Sequence, residues 1–365
     1  MPYCMKDVRQ PAVRVPRVIV RAMPLISIMA CGLPTEVPKA PILDVRWVVP
    51  TQSSRITVAS LLPSGVSILQ DSSGFTVAVP NATVTRVLSQ DCSTCTASNG
   101  LTAPKPAFVA SASLSTALPT EITSSALVGG TLQVVMSHNY TFDPLRPNAA
   151  PSGAKGFAVI TVSNGNTVIG KDSIDGATTA FSPNTTVTRS IPLSGAITGS
   201  SPVTASVVVN SPLGDPVLID ASRRLTATSS AVGLKVASAN VTVAGRQFNS
   251  TSSIDLSGID STVRNHVQSG ALLLTLVNPF AVTSTLTVKF SPQGGQTITR
   301  TVPLAAGNST VRIDFSAAEL KSLLGHNVAL AYTGAITATA GSVTISPRQA
   351  VVITTRLDIS LQVGG

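Results

Sequence analysis

Apolar and polar residues alternate in short runs along most of this 365-residue chain. Clear examples are residues 44–57, with Val45, Trp47 and Val49 in alternate positions, and residues 74–88. A period of two places every second side chain on the same face of a β-strand. Gly and Pro residues interrupt the runs, as turns between short strands require. The pattern predicts an all-β protein.

The chain also contains a near-copy of one of its own segments, 111 positions further on. Residues 186–193 read TVTRSIPL and residues 297–304 read TITRTVPL, with five of the eight positions identical. The same offset aligns two further tetrapeptides, so the match extends over about forty residues. We therefore expect tandem copies of one immunoglobulin-like β-sandwich, whose usual size is about a hundred residues and seven strands. Arg189 and Arg300 should then lie on the same side of equivalent strands.

The duplication gives a division of the chain into segments. Residues 130–136 also match 270–276 in type, and residues 143–156 form an insertion found only in the first copy. The expected segments are 1–30, a signal-like basic and apolar segment; 31–41, a tether; 42–105, a small N-terminal β-domain with a CxxC loop; 106–246, sandwich copy 1; and 247–365, sandwich copy 2. Any large cavity is expected at a junction between these domains, lined by Val, Leu, Thr and Ser.

One helix is predicted, a short one in the C-terminal copy. Ser316 followed three positions later by Glu319 is the sequence of a capping box. Gly325 supplies the left-handed residue that commonly ends a helix. The helix is therefore expected over 316–324, whereas Pro212 in copy 1 predicts a shorter helix or none.

Part of copy 2 resembles a known family. A strand ends in Val277-Asn-Pro-Phe280, a later segment reads Val302-Pro-Leu-Ala-Ala-Gly307, and Tyr332-Thr-Gly334 begins another strand. This combination resembles the type-2 late-embryogenesis-abundant, or WHy, domain of water-stress proteins. The resemblance implies a β-sandwich with one helix, a role in stress tolerance and no catalytic residues. Copy 1 shows it more weakly and lacks the Asn-Pro pair.

The charges are few and unevenly placed. Charged residues make up 11% of the chain, against roughly 25% in typical soluble domains. Basic residues concentrate before an apolar stretch that ends at Ala30-Cys31. A basic segment, a short apolar segment and a small residue form a signal peptide, and 28–31 resembles the lipobox of bacterial lipoproteins, which implies that Cys31 is lipidated. Gly32 after that cysteine implies the outer membrane. The alternative is a basic tail with a chance cysteine.

A second cysteine pair, Cys92 and Cys95, lies in a polar segment. Zinc sites need a further pair of ligands, and the chain contains none at a suitable spacing. A thioredoxin-type site would need a βαβ setting. In an exported protein a local disulfide is the expected state, with two free thiols as the alternative.

Candidate chemistry is otherwise sparse. His138, His266 and His326 are the only imidazoles, and no sequence pattern joins any of them to a carboxylate and a nucleophile. No cofactor motif, metal-ligand set or catalytic residue is identified, and the chain lacks the clustered basic and aromatic residues of a nucleic-acid binder. The expectation is a lipid-anchored, non-catalytic envelope protein that has a structural role or binds an envelope protein or a glycan. The alternatives are a glycan- or protein-binding adhesion module at the cell surface and a hydrolase whose site is not visible in sequence.

Overall fold

The computed structural model describes residues 42–147 and 153–363, and Leu43–Val363 forms one compact unit. It is an all-β protein of sandwich domains, as the alternation predicts. The strands in the first two thirds of the chain are β1 (Leu43–Thr57), β2 (Val66–Ile68), β3 (Phe75–Val77), β4 (Ala82–Val87), β5 (Thr102–Pro104), β6 (Phe108–Thr116), β7 (Ile122–His138), β8 (Phe157–Asn164), β9 (Thr167–Asp175), β10 (Thr186–Pro192), β11 (Gly195–Ile197), β12 (Val203–Ser211), β13 (Pro216–Leu218) and β14 (Arg224–Thr242).

The remaining strands and the helices complete the described chain. The strands are β15 (Arg246–Asp255), β16 (Val267–Asn278), β17 (Val282–Pro292), β18 (Ile298–Leu304), β19 (Gly307–Ser316), β20 (Asn327–Ala338), β21 (Ser342–Ile345) and β22 (Ala350–Val363). The helices are α1 (Leu88–Asp91), α2 (Ser93–Ala97), α3 (Ser261–Asn265) and α4 (Ala317–Leu323), with a 3-10 turn at Val58–Leu61.

Two sandwiches with the same strand order make up the fold. In the second sandwich the sheet β15-β20-β17-β18 packs on the sheet β1-β22-β16-β19. In the first, the sheet β6-β12-β8-β9 packs on a sheet built around β10-β7-β14. The strands β6, β7, β8, β9, β10, β12 and β14 of the first copy correspond in order to β15, β16, β17, β18, β19, β20 and β22 of the second. The strand order is the same in both copies, with β1 beside β22 where β4, β3 and β21 lie beside β14. The two sandwiches share one topology.

The sequence repeat that suggested this duplication nevertheless joins strands that are not equivalent. Residues 186–192 of the first segment form β10, which pairs with β7, whereas residues 298–304 of the second form β18, which pairs with β17 in the opposite sheet. The topological equivalent of β10 is β19. Arg189 and Arg300 therefore do not occupy equivalent positions, and the expectation about them is wrong. Alternating Thr and Val fit any half-exposed strand, so two unrelated strands can share such a pattern.

The weaker match between residues 130–136 and 270–276 does join equivalent strands. These segments lie in β7 and β16, the strands with a neighbour on both sides in their sheets. Leu132 faces Ile191 of β10, and Leu272 faces Ile313 of β19. All four side chains are buried, so this register places the central strand of each sheet on its core.

Residues 42–105 do not form the separate β-domain that the sequence predicts. β1 pairs with β22 along its length and completes a sheet of the second sandwich. β3 and β4 pair with β14 and extend a sheet of the first sandwich. The chain thus begins in the second sandwich, builds the first and returns, so the first sandwich is inserted into the second.

The predicted helix is present as α4, with Ser316 as its N-cap. Glu319 N–H donates to Ser316 Oγ and the Glu319 carboxylate accepts from Ser316 N–H, which is the complete capping box. Gly325 follows with φ +84°. Leu320 and Leu323 are buried, so the helix closes one end of the second sandwich. The equivalent connection of copy 1, between β10 and β12, contains the short strand β11 and no helix, whereas Pro212 lies after β12 and is not the counterpart of α4.

Candidate functional site

Of the cysteines singled out in the sequence, Cys31 lies outside the described residues. Cys92 and Cys95 are joined as a disulfide with a Cα–Cα distance of 5.2 Å. They link α1 to α2, and both side chains are buried in the core of the first sandwich. The bond therefore fixes the connection between β4 and β5. Within 42–147 and 153–363 no group of three or more His, Cys, Asp and Glu side chains could hold a metal ion.

The three histidines lie at three different places in the fold: at the end of β7, after α3 and before β20. His138 is buried at the end of β7, where its Nε2 bonds the Phe181 carbonyl at 2.7 Å and its Nδ1 accepts from Tyr140 N–H at 3.1 Å. Burial lowers the pKa of His138, which keeps its imidazole neutral. His266 ends α3 with Nδ1 against the Thr262 carbonyl, and His326 is half-buried before β20.

A buried lysine that sequence reasoning missed lies at the insertion of copy 1. Lys105 Nζ donates to the Arg146 carbonyl at 2.8 Å and lies 5.7 Å from the centroid of the Phe142 ring. Burial lowers the pKa of Lys105 to about 8. Asp143 fixes the same insertion, because its carboxylate accepts from Leu145 N–H and Phe181 N–H. Lys105 stands between two prolines in a segment with no periodic pattern, so no sequence signal marks it as buried.

Cavities and grooves lie both where the two sandwiches meet and on single sandwiches. A cavity of about 130 Å³ lies where the two sandwiches meet, bounded by Glu121 and Arg246. Grooves of about 480 Å³ lie elsewhere, one between the β2–β3 hairpin and β14 and one between β18 and α4. The groove beside β2 and β3 joins the expected segments 42–105 and 106–246, and Val, Leu, Thr and Ser are among its lining residues. The expectation that the largest cavity lies at a domain junction stays a prediction.

One extended surface stands out for its lack of charge, and we call it the neutral face. It is the outer side of β6, β12 and β8, where register and burial place the alternate residues Val109, Ser111, Ser113, Ser115, Thr204, Ser206, Val208, Asn210, Phe157, Val159, Thr161 and Ser163. None of these side chains is charged. The charged residues Lys171 and Asp175 lie on β9, the strand next to β8 at the border of the face. The inward residues of the same strands, among them Ala110, Val207 and Ile160, are buried in the core.

The apolar end of the neutral face is its most distinctive part. Asn210 faces Val109 on one neighbouring strand and Phe157 on the other. Val109 is 55% exposed and Phe157 is 47% exposed. An exposed aromatic ring beside an amide and a row of hydroxyls offers contact area and hydrogen bonds without a charge to desolvate, and aromatic rings and few charges are features of the central part of protein interfaces.

No family model matches this sequence, and no curated protein matches it. Among solved structures, the chain aligns with a "putative secreted protein" from Parabacteroides distasonis at 9% identity and a TM-score of 0.33, over 86% of this chain and 99% of that one. It aligns with the VP2 subviral particle of infectious bursal disease virus at 10% identity and a TM-score of 0.20, over 90% and 74%. In the described part of the chain no helix is long and apolar enough to cross a bilayer.

Proposed function

We propose that the protein is a non-catalytic, lipid-anchored component of the cell envelope whose neutral face binds a partner protein. The neutral face is the observation that supports binding, because covering its exposed Phe157 and Val109 side chains would remove apolar area from water without desolvating a charge. The lipobox-like sequence before Cys31 supports the anchor. The tether after it would hold the sandwiches away from the membrane.

Processing of the N-terminus tests the anchor. Expressed with its full N-terminal segment in a Gram-negative host, the chain should be cleaved before Cys31 and recovered in the membrane fraction with the mass of a diacylglyceryl group and a fatty acyl chain. Cys31→Ser should abolish the cleavage and the recovery in the membrane fraction, whereas the control Cys4→Ser should leave both results unchanged. A soluble, unprocessed wild-type chain would contradict the proposal.

Site-specific photo-crosslinking tests the binding face. A photoreactive residue in place of Phe157 should give an adduct of defined mass in cells of the native host. The same residue in place of Thr285, exposed on the outer side of β17, should give none. Asn210→Arg places a charge between Val109 and Phe157 and should remove the adduct. Equal adducts from both sites would show that the neutral face is not selective.

A further inference from the structure

The first half of β1 is an open sheet edge with exposed apolar side chains. β1 ends its sheet, and no described strand pairs with its outer edge. The second half of β1 is covered by β15, where Ser54 and Ser250 are hydrogen-bonded at 2.6 Å. Pro50 and the irregularity that follows it separate the two halves. The open stretch is therefore 43–49.

Three side chains of this stretch extend the core side of the sheet beyond the sandwich. Leu43 is 58% exposed, Val45 43% and Trp47 37%. Val45 lies opposite Leu361, and Trp47 lies opposite Ile359, both of which are buried. Residues opposite each other across a ladder point to the same side. The apolar row of the core thus continues into solvent along β1, a feature that folded proteins normally avoid at a sheet edge.

We infer that a second copy of this chain covers this edge, with the two β1 strands antiparallel about a twofold axis at Val45. In a sheet that continues across such an axis, opposed residues must point to the same side, so odd positions face odd and even face even. With Val45 opposite the partner's Val45, Leu43 lies against the partner's Trp47. The two exposed apolar rows then become one.

Charge selects this register over its neighbours. With Val45 on the axis, Asp44 lies opposite the partner's Arg46, and the symmetric contact repeats the pair. Moving the axis to Arg46 opposes two arginines, and moving it to Asp44 opposes two aspartates, which is destabilising for directly opposed like charges. Arg46 also bonds Asp358, but 66% of its side chain is exposed and available to the partner.

The fluorescence of Trp47 reports on this interface alone, because Trp47 is the only tryptophan of the chain. A ladder of five residue pairs is smaller than a standard interface, so association should be weak. In the full chain carrying Cys4→Ser and Cys31→Ser, sedimentation should show a monomer–dimer equilibrium between about 1 µM and 1 mM. Trp47 emission should shift to shorter wavelength over the same range. Val45→Lys should raise the dissociation constant at least tenfold, whereas Val168→Lys on the edge strand β9 should change it less than twofold.

Disulfide trapping tests the register in the same background. Val45→Cys should give a covalent dimer on mild oxidation, because residues opposed across an antiparallel ladder have Cα atoms about 5 Å apart, within disulfide reach. Leu43→Cys should not, since the two copies of that position are about 13 Å apart along the strands.

A monomer at 1 mM would overturn the inference. Trp47 emission that is already short in wavelength and independent of concentration would show that other residues of the same chain cover the edge. Equal trapping at positions 43 and 45 would rule out this pairing.

Discussion

At the scale of single residues, the two sandwiches meet the same structural need with different side chains. His138 ends β7 and Asn278 ends β16 at equivalent positions. Asn278 Oδ1 accepts from Phe280 N–H, as His138 Nδ1 accepts from Tyr140 N–H. Asn278 Nδ2 donates to the Ala305 carbonyl before β19, and His138 bonds the Phe181 carbonyl before β10. Each residue therefore ties the end of a central strand to the loop that enters its neighbour.

This equivalence predicts how His138 tolerates substitution. His138→Leu leaves the buried Tyr140 N–H and Phe181 carbonyl without partners, and each loss costs about 1–3 kcal/mol. His138→Asn can still accept from Tyr140 N–H and should cost less than half as much. Urea unfolding at pH 7.5 measures both values. Equal losses for the two variants would mean that an amide at this position does not replace the imidazole as the acceptor for Tyr140 N–H.

The buried Lys105 should make the free energy of unfolding depend on pH in the alkaline range. Burial lowers its pKa to about 8 in the folded protein, against 10.5 in the unfolded chain. Between these values the unfolded chain binds more protons, so stability should rise with pH across this window, by at most about 1.4 kcal/mol per pH unit. The free energy of unfolding measured at pH 7.5, 8.5 and 9.5 should show this rise. Lys105→Met removes the titrating group, so the free energy of unfolding of this variant should change little over the same pH range. An unchanged slope in the variant would mean that another group causes the rise.

At the scale of elements, the sequence predicts those helices and strands that are determined by residues close together along the chain. The capping box of α4 brings Ser316 and Glu319 together within one turn, so the helix was identifiable. Strands were identifiable from their alternation. The pairing of β1 with β22 joins residues about three hundred positions apart, and alternation says nothing about a partner at that distance. The same limit explains why Lys105 and the neutral face were not foreseen, since both arise from segments brought together only in the fold.

The cap of α4 gives a prediction at this scale. Ser316→Ala removes the acceptor for Glu319 N–H and should cost about 1 kcal/mol, the usual effect of losing an N-cap. Because α4 covers the end of the second sandwich, the loss should appear in global unfolding by urea. Ser113→Ala, on the exposed neutral face, is the matched control and should stay within about 0.5 kcal/mol of wild type. A loss no larger than that of the control would mean that α4 forms without its cap.

At the scale of the whole molecule, strand pairing interlocks the two sandwiches. β14 of the first sandwich pairs with β7 on one side and, in succession, with β4, β3 and β21 on the other. β21 belongs to the chain segment that builds the second sandwich. The ladder between them therefore crosses from one sandwich to the other. The sequence suggested two tandem domains because its repeat carries no information on such an exchange.

This interlock predicts that the two sandwiches unfold together. Calorimetry of the wild-type protein should show one transition with equal calorimetric and van't Hoff enthalpies. Val343→Pro removes an N–H from the ladder where Val343 faces Val241 and should separate the transition into two. Val343→Ala keeps the backbone bonds and should lower the melting temperature without splitting it. Two transitions in the wild type would show that the β14–β21 ladder does not couple the sandwiches.

The pairing of β1 with β22 also determines how the folded unit would respond to tension. Leu43 lies directly opposite Val363, so the two ends of the folded unit are neighbours in one antiparallel ladder. Cross-strand neighbours are about 5 Å apart. A force applied between these ends would open the ladder one bond at a time, as a zipper opens, and would not load all of its bonds in parallel. The β1–β22 ladder would therefore begin to separate at a low force at this end. The second sandwich would lose its edge strand β1 before the first sandwich carried any load.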